Sequence, residues 1–469
     1  MAKILPNKKP LAEQPLKVGQ PLGAALAFLG TDKAMPLMHA AQGCSAFAKV
    51  FLIQHFHEPI PMQSTAMDPI STVMGSDDNL TQAFTNICQK NQPKLIGLLT
   101  SGLTEAQGCD IERSVRLFKE NHPKFKSTAI IPVNTPDFYG SLETGYASAI
   151  EAMIKHLVPT KVPSSARRKR INILASHMLT PGDVELLKSY IEAFGLTPIV
   201  IPDLSLSLDG HLSAQDFTAL SQGGTTVEQI KTVGQGLATI VVGGSLKRAA
   251  TMLSQQTQIQ TEIFPHLHTL EEVDRLIKLL SSLSGRKVPA TMMRARGQLC
   301  DALIDTHTQL GGKKAAFAME ADHLTAFAAL CTSANIQISA MVAPCNQGQL
   351  ASLPIEQVQI GDLSDLHQLA QQNNVDLLLA NSHANSIAKQ MNIPLLRIGI
   401  PIHDQFGCFS KAFIGYSGIR STLFELANLL RHEVHSIPVY HSLFKQDLNE
   451  IKQNSKQIQQ DLKQIVVGG

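Results

Sequence analysis

Residues 171–201, which read INILASHMLTPGDVELLKSYIEAFGLTPIVI, decide the fold class. The apolar run Ile171 to Ala175 has the length of a buried strand. Thr180 and Pro181 then form a typical helix start, with a threonine N-cap and a proline at the first helical position. From Asp183 to Phe194 apolar residues recur every three or four positions, and a second apolar run closes the stretch. This order predicts two buried parallel strands joined by a crossover helix.

The same alternation of short apolar runs and helical segments recurs along the chain. Helical periodicity is also clear from Leu270 to Leu283 and from Ser417 to Leu430. The pattern predicts an α/β fold built of Rossmann-like, doubly wound domains with mainly parallel sheets. The candidate strands are Leu95 to Thr100, Thr128 to Val133, Ile171 to Ala175, Pro198 to Ile201, Thr239 to Val242, Ala315 to Met319, Ile338 to Val342, Asp376 to Ala380 and Leu395 to Ile400.

Length and two breaks in composition predict three domains. The chain has 469 residues, and about 150 residues form an ordinary domain. The first break is the basic stretch Val162 to Arg170, and the second is the turn Gly311 to Lys314. A polar segment with spaced leucines and isoleucines, Leu443 to Ile465, predicts an exposed terminal helix. We expect an N-terminal α/β domain, a middle Rossmann-like domain and a C-terminal Rossmann-like domain at residues 1–165, 166–310 and 311–469.

Composition argues for a folded, soluble protein with no nucleic-acid partner. Hydrophobic residues make up 44% and charged residues 17%, enough apolar surface for a core. The 40 basic and 38 acidic side chains leave a formal charge of +2, which gives no electrostatic footprint for nucleic acid. The sequence has no signal-peptide pattern and no run of 18 apolar residues, so we expect a cytoplasmic protein without membrane association.

Loops that follow strands are the first place to look for chemistry, because ligands of such sheets bind beyond the carboxyl ends of the strands. Gly243-Gly244-Ser245 fits either a tight turn or an anion cradle, and it lacks both the Walker and the dinucleotide fingerprints. The polar loop Asp203 to His211 fits either a ligand-facing surface or a turn. Four loop histidines have no base or nucleophile beside them in sequence, which favours surface or structural roles: His177, His211, His383 and His403.

Cys44 differs from the other cysteines in its surroundings. It follows the apolar segment Met35 to Met38 and opens an apolar helix through Phe47 to Ile53, where the positive end of the helix dipole stabilises a thiolate. A packed thiol fits the same residues, so both interpretations stay open at this point. With seven cysteines and no CxxC pair, the sequence argues against a disulfide framework and a self-contained cluster site. Cys300 and Cys331 fit packed positions within helices, and three further cysteines show no activating neighbour: Cys88, Cys345 and Cys408.

Several segments resemble the nitrogenase component 1 family. Residues 21–80, beginning PLGAALAFLGTDKAMPLMHAAQGCSAF, are similar to the N-terminal part of that family. GLLTSGLTEAQGCD at 97–110, VNTPDFYGSLETGY at 133–146 and DLLLANSHANSIAKQMNIPLLRIGIPIHDQFG at 376–407 continue the resemblance, which spans about residues 15 to 435. It implies a nitrogenase component 1-like arrangement of three domains.

Within this family, the pattern of cysteines resembles the cofactor-assembly branch rather than the nitrogen-reducing enzyme. Catalytic β subunits supply three cysteines to an eight-iron cluster, whereas this sequence keeps the first as Cys44 and has Met62 and Gly102 at the other two positions. A thioether or a glycine does not replace a thiolate as a cluster ligand. The resemblance therefore implies a scaffold subunit more than an independent enzyme.

The resemblance also implies a partner and a cargo. The partner subunit, NifE, would supply three cysteines, and Cys44 would complete a shared [4Fe-4S] site in an α2β2 heterotetramer. A precursor made by NifB would be bound mainly by NifE and matured to the iron-molybdenum cofactor. Molybdenum, homocitrate and electrons would arrive with the Fe protein, NifH, and the finished cofactor would pass to apo-nitrogenase.

Three questions stay open at the level of sequence. Cys109 stands where relatives usually have an acidic residue, and it fits either an incidental role or an auxiliary ligand. The chain could instead be a nitrogenase β-type subunit or a catalytic subunit of a related reductase. A nucleotide-sugar or dinucleotide enzyme uses similar domains, although the fingerprint loops of such enzymes are absent from this sequence.

Overall fold

The computed structural model describes residues 1–160, 168–212 and 218–432. Most of the predicted boundary stretch Val162 to Arg170, and the whole of the predicted terminal helix Leu443 to Ile465, lie outside these residues. No helix in the three described ranges is long and apolar enough to cross a membrane.

Fourteen strands and sixteen α-helices alternate through the described residues. The strands are β1 Lys3–Leu5, β2 Ala34–His39, β3 Gln63–Ser64, β4 Leu95–Thr100, β5 Ala129–Val133, β6 Arg170–Ala175, β7 Thr197–Ile201, β8 Ala238–Val242, β9 Gln260–Phe264, β10 Lys314–Ala318, β11 Gln337–Ala343, β12 Gln357–Ile360, β13 Leu377–Ala380 and β14 Leu395–Arg397. The helices are α1 Gln20–Leu29, α2 Gln42–Phe56, α3 Pro69–Met74, α4 Asp77–Lys90, α5 Gly102–Gln107, α6 Ile111–Asn121, α7 Leu142–Leu157, α8 Pro181–Ala193, α9 Val227–Lys231, α10 Lys247–Thr257, α11 Leu270–Ser284, α12 Ala290–Leu310, α13 Ala321–Ser333, α14 Leu363–Asn373, α15 Asn385–Met391 and α16 Gly415–His432.

The strands form three parallel sheets with helices packed against them. The first sheet has the order β3-β2-β4-β5, the second has β7-β6-β8-β9, and the third has β1-β12-β11-β10-β13-β14. Every strand pairing in the described residues is parallel, which confirms the predicted α/β class. The central strands are buried, apart from the half-buried Arg170 at the start of β6, and rich in Leu, Ile and Val, as expected when helices cover both faces of a sheet.

The chain start pairs with the last of the three sheets. In β1, Lys3 lies opposite Gln357 of β12, so the first strand of the chain forms an edge of the sheet built from residues 314–397. The predicted domain boundaries at 165 and 310 stay a prediction, and the pairing adds that the first residues pack with the C-terminal sheet.

All nine candidate strands are present, with ends shifted by a few residues. The shift is largest in the last one, which ends at Arg397 instead of Ile400. The five strands that were not predicted are β1, β2, β3, β9 and β12. Of these, β1 and β3 are three and two residues long, and β9 and β12 contain glutamines on partly exposed positions. Edge position explains the weak signals of β1, β3 and β9, because an edge strand does not need a continuous apolar run, whereas β12 lies between β1 and β11 and is only four residues long.

The predicted helix start at Thr180 is confirmed, and it also ties distant parts of the chain together. The Thr180 hydroxyl accepts a hydrogen bond from the Asp183 amide, and the Thr180 amide donates to the Asp183 carboxyl. This carboxyl also accepts hydrogen bonds from the amides of Phe413 and Ile414, at 2.6 and 3.0 Å. The cap of α8 therefore holds the segment that leads into α16.

Helices α1 and α7 approach each other backbone to backbone. A Cβ atom at Gly23 would lie 1.8 Å from the carbonyl oxygen of Leu142, and one at Gly145 would lie 2.0 Å from that of Gln20. All ten residues of α1 are buried. Because carbonyl oxygens of the main chain cannot rotate away, even a methyl group at either glycine would push the two helices apart.

This packing yields a stability prediction. Gly23→Ala and Gly145→Ala should each lower the free energy of unfolding by about 3 kcal/mol, measured by urea denaturation followed by circular dichroism. Gly297→Ala is the matched control, because Gly297 lies in α12 and no atom lies within 4 Å of the place that its added methyl group would take. The control should be neutral or stabilising by up to about 1 kcal/mol, since alanine favours helix more than glycine does. Equal behaviour of all three variants would contradict the close helix contact.

Candidate functional site

Cys44 lies on the surface, in the first turn of α2, at the carboxyl end of β2. Its side chain is exposed, and its amide donates a hydrogen bond to the Ala41 carbonyl at 3.2 Å. The N-cap residue of α2 is Ala41, which has no side-chain acceptor, and the first turn carries no acidic residue. The positive end of the helix dipole is thus uncompensated next to the thiol, an arrangement that favours a negatively charged ligand atom.

Helix α2 is apolar on both of its faces. Its inner face buries Leu52 and Phe56 against the first sheet. On the outer face, Phe47, Val50 and Ile53 follow Cys44 at three-residue spacing, and Phe47 is 80% exposed. A surface helix of a monomer normally turns polar residues to water, so this outer face has the character of an interface.

More exposed apolar side chains lie at the same edge of the first sheet. We call them, together with Phe47, Val50 and Ile53, the apolar face. The added members come from α3 and from the loop after β5: Ile70, Val73, Met74, Phe138 and Tyr139. The α3 segment is fixed by Gln107, whose side-chain amide donates to the Ser71 and Thr72 carbonyls. The β5 loop is fixed by Asp137, which accepts a hydrogen bond from the Gly102 amide at 3.1 Å.

The two other positions that match family cysteines have different surroundings from Cys44. Met62 is 1% exposed and packs in the core that includes Ala48 and Leu52. Gly102 begins α5, and a Cβ atom there would make ordinary contacts with Asp137 and Phe138. Among these three positions, Cys44 alone offers a thiol.

Cys109 lies behind this edge and contacts a buried histidine. Its sulfur is 3.6 Å from Nε2 of His39, which also meets the Ser76 hydroxyl at 3.0 Å, while Nδ1 meets the Thr65 hydroxyl. Burial lowers the pKa of His39 to about 4. Burial also raises the pKa of the Cys109 thiol, with a further contribution from Asp77. A neutral thiol packed on a neutral imidazole favours a structural role for Cys109.

The remaining cysteines are packed inside the chain or half-buried. Cys88, Cys331 and Cys408 are buried, while Cys300 and Cys345 are half-buried. Burial raises the pKa of the Cys331, Cys345 and Cys408 thiols. None of the seven cysteines forms a disulfide in the part of the chain that the structure describes.

The polar loop after β7 divides into two parts. Asp203 is buried and bonds within the fold, accepting hydrogen bonds from the Ser205 amide and from Lys188 at 3.0 Å. Asp209 and His211 are more exposed and pair with each other at 2.5 Å. The structure thus gives the first half of the loop a turn-forming role.

His383 and His403 come together at the carboxyl end of the third sheet. Their ring centroids are 5.7 Å apart, and burial lowers the pKa of His383. The neighbouring Asp404 is held by Arg397 at 2.7 Å and by the Ser382 hydroxyl. No nucleophile is activated by this pair in the described residues.

A buried polar cluster lies where the three sheets meet. It contains two buried carboxyl groups and two buried imidazoles, with the half-buried Glu320 beside them: Glu143, Asp322, His177 and His323. Nε2 of His177 is 3.7 Å from Oε2 of Glu143, and the His177 and His323 rings meet edge to face at 5.0 Å. Burial raises the pKa of each carboxyl and lowers the pKa of each histidine.

Main-chain and amide donors fix the carboxyl groups of this cluster. The Asp322 amide donates to Glu143 at 2.8 Å, and the Gln349 side chain donates to both carboxyls at 2.9 Å. The amide and hydroxyl of Ser245 donate to Asp322. The Gly243-Gly244-Ser245 loop therefore binds the carboxyl group of the protein's own Asp322.

Sequence reasoning named His177 but did not identify its carboxyl neighbours. Glu143 lies in the first turn of α7 and Asp322 in the first turn of α13, each after a buried strand. Their position beyond carboxyl ends of strands was a usable signal. Their convergence was not predictable, because it depends on how the three sheets pack together.

Comparison with known proteins gives a consistent result. A family model described as nitrogenase component 1 type oxidoreductase matches residues 19–431. The nitrogenase iron-molybdenum cofactor biosynthesis protein NifN of Klebsiella pneumoniae is 49% identical over 447 residues, covering 95% of this chain and 97% of the relative. The NifN protein of Rippkaea orientalis is 42% identical, covering 92% of this chain and 97% of the relative.

A solved structure supports the same relationship. The structure titled "Nitrogenase Cp1 at pH 6.5" superposes with a TM-score of 0.86 at 27% sequence identity, covering 93% of this chain and 97% of the other. The resemblance seen in the sequence is thereby confirmed. Because the family model and these relatives match nearly the whole described fold, the chain belongs to the nitrogenase component 1 family.

Proposed function

We propose that this chain is one subunit of a two-subunit scaffold on which a precursor of the iron-molybdenum cofactor is matured. In this proposal Cys44 supplies one thiolate to a [4Fe-4S] cluster shared with the partner subunit, NifE. The observation that carries the proposal is an exposed thiol on an uncapped helix end, inside an exposed apolar surface. The names of the curated relatives, which are cofactor biosynthesis proteins, support the choice of process.

The donor set fits a shared cluster better than a complete one. An iron-sulfur cube of this type takes four thiolates, and Cys44 is the exposed cysteine of the described chain. The two positions that would extend the set carry Met62, which is buried, and Gly102, which has no side chain. In this proposal the partner supplies the other three thiolates. When bound, such a cluster supplies one-electron transfer.

The apolar face gives the partner a surface to cover. Phe47, Val50 and Ile53 form one side of Cys44, and the α3 side chains and the Phe138 loop extend the same edge. Burying these side chains excludes water from the thiol, which raises the strength of charge interactions around it. We propose that NifE covers this face and that two such pairs form an α2β2 heterotetramer.

The cargo follows from the proposed assembly. An iron-sulfur precursor donated by NifB would be held mainly by the partner, and molybdenum and homocitrate would be inserted with the help of the Fe protein, NifH. The product would pass to apo-nitrogenase. The proposed compartment is the cytoplasm, where thiols stay reduced, and the free state of the cysteines fits that setting.

A nitrogenase β-type or related reductase catalytic subunit is the alternative function. It would need further cluster ligands near Cys44. Met62 makes this alternative weaker, because its thioether is closed inside an apolar core rather than turned to the surface.

Replacing the exposed thiol tests the cluster assignment. In Cys44→Ala protein co-purified with NifE, we expect the loss of about four irons per subunit pair and of the EPR signal of the reduced cluster, because an interface thiolate is missing. Iron, sulfide and EPR measurements on the anaerobic complex provide the readout. Cys109→Ala is the matched control and should keep the cluster, since its sulfur packs against His39. Unchanged iron and EPR in Cys44→Ala would sink the assignment.

A charge on the apolar face tests the interface. Phe47→Glu should weaken binding of the partner by at least about 2 kcal/mol, because an unpaired carboxylate would be buried in the interface. The measurement is the dissociation constant of the pair, or the heterotetramer fraction in analytical ultracentrifugation. Phe47→Leu is the control at the same position and should keep the assembly. If Phe47→Glu assembles as well as Phe47→Leu, this face is not the partner surface.

A further inference from the structure

We propose that Glu143, His177 and Asp322 bind a divalent first-row transition-metal ion at the junction of the three sheets. This site is separate from Cys44 and does not depend on the shared cluster. Glu143 is contributed by α7 after the first sheet, His177 by the loop after β6 of the second sheet, and Asp322 by α13 of the third sheet.

The three ligand atoms lie close together, slightly farther apart than they would be around a bound ion. One atom from each of the three side chains lies within 4.8 Å of the others. The separation between Oε2 of Glu143 and Nε2 of His177 is 3.7 Å. Two ligand atoms that each lie about 2.1 Å from a tetrahedral ion are about 3.4 Å apart. The 3.7 Å separation of Glu143 and His177 is close to that spacing and too long for a hydrogen bond.

The imidazole of His177 points to a missing ligand. Its side chain is 1% exposed, and neither ring nitrogen has a hydrogen-bond partner in the described residues. A buried polar nitrogen without a partner costs about 1–3 kcal/mol, and this ring has two such atoms. One of its ring nitrogens lies within 4.8 Å of a carboxyl oxygen of Glu143 and of Asp322, and a metal ion would satisfy it there.

The carboxyl groups around the site also lack a compensating positive charge in the described residues. Glu143 and Asp322 are buried, the adjacent Glu320 is half-buried, and none of the three forms an ion pair with a lysine or arginine in the part of the chain described. Uncompensated carboxylates are expensive in an apolar interior, whereas a divalent ion neutralises two of them at once. Metal binding would exchange their protons for the ion.

The surroundings have the features that support metal ligands. Gln349 bridges both carboxyls, and Ser245 holds Asp322, so each carboxyl is oriented by a second set of donors. Two cavities of about 20 and 30 Å³ share His177 and His323 in their linings. Each has room for a water molecule beside His177, and neither lining includes Glu143 or Asp322.

The mixture of donors restricts the metal. Two carboxylates and one imidazole suit Mn²⁺, Fe²⁺ or Zn²⁺, whereas a soft ion such as Cu⁺ prefers sulfur. Cys345, the nearby thiol, donates instead to the Ser141 hydroxyl at 3.3 Å. The three ligands lie in segments that follow strands of three different sheets. The ion would therefore cross-link the three sheets.

Metal retention by the full chain tests this proposal. Purified protein is stripped with EDTA, incubated with MnCl₂ or ZnCl₂, and passed through gel filtration, and the retained ion is measured by mass spectrometry. We expect one Mn²⁺ or Zn²⁺ per chain and a higher thermal midpoint with the ion than without it. Glu143→Gln and His177→Phe should weaken binding at least tenfold. His177→Phe keeps a ring against His323 and removes both nitrogens.

Two controls separate this site from other effects. Asp203→Asn changes a buried carboxyl elsewhere and should retain the ion. Cys44→Ala should also retain it, because the proposed cluster and the proposed metal ion bind at different sites. Retention of a full ion complement by both ligand variants would overturn the site. So would the unsubstituted chain retaining neither Mn²⁺ nor Zn²⁺, a result that needs no variant to fold. A thermal midpoint of His177→Phe that still rises with the ion would also overturn it.

Discussion

Parallel strand pairing is the constraint on which this molecule depends. A strand that pairs in parallel with its neighbour must be followed by a crossover, so every loop after a strand emerges at the same edge of its sheet. Cys44 follows β2, Gly102 follows β4 and the Phe138 loop follows β5, which gathers them at one edge of the first sheet. The same rule brings His177 to the edge of the second sheet and Asp322 to the edge of the third.

The two candidate regions that result have opposite physical characters. The edge around Cys44 is open, apolar and short of ligands, so it is chemically incomplete without another surface. The cluster around Glu143 is closed, polar and rich in ligands, and what it lacks is positive charge. One region therefore looks outward to a second polypeptide, and the other is a feature of this chain alone.

Much of the fold could be predicted from sequence because its signals are local. The apolar run Leu95–Thr100 and the Thr180-Pro181 helix start are each set by neighbouring residues, and the structure has both. The strand Gln357–Ile360 was missed, because it has only four residues and its alternation of glutamine and apolar residues is too short to stand out beside the continuous apolar runs. For the candidate site, the position of Cys44 at a helix start was readable, whereas the exposure of Phe47 and Val50 was not. An apolar helix residue gives the same signal whether it packs inside or awaits a partner.

The pairing of β1 with β12 has a consequence for how the chain is made. Lys3 leaves the ribosome early, while its partner Gln357 is added 354 residues later (357 − 3). At about 5–20 residues per second, that interval lasts roughly 20–70 seconds. Until β12 has been made, Lys3–Leu5 has no strand of this sheet to pair with, and the sheet acquires its outer strand from a segment that is made long before the others. This sheet is therefore complete only after residues 314–397 have been made and Lys3–Leu5 has paired with them.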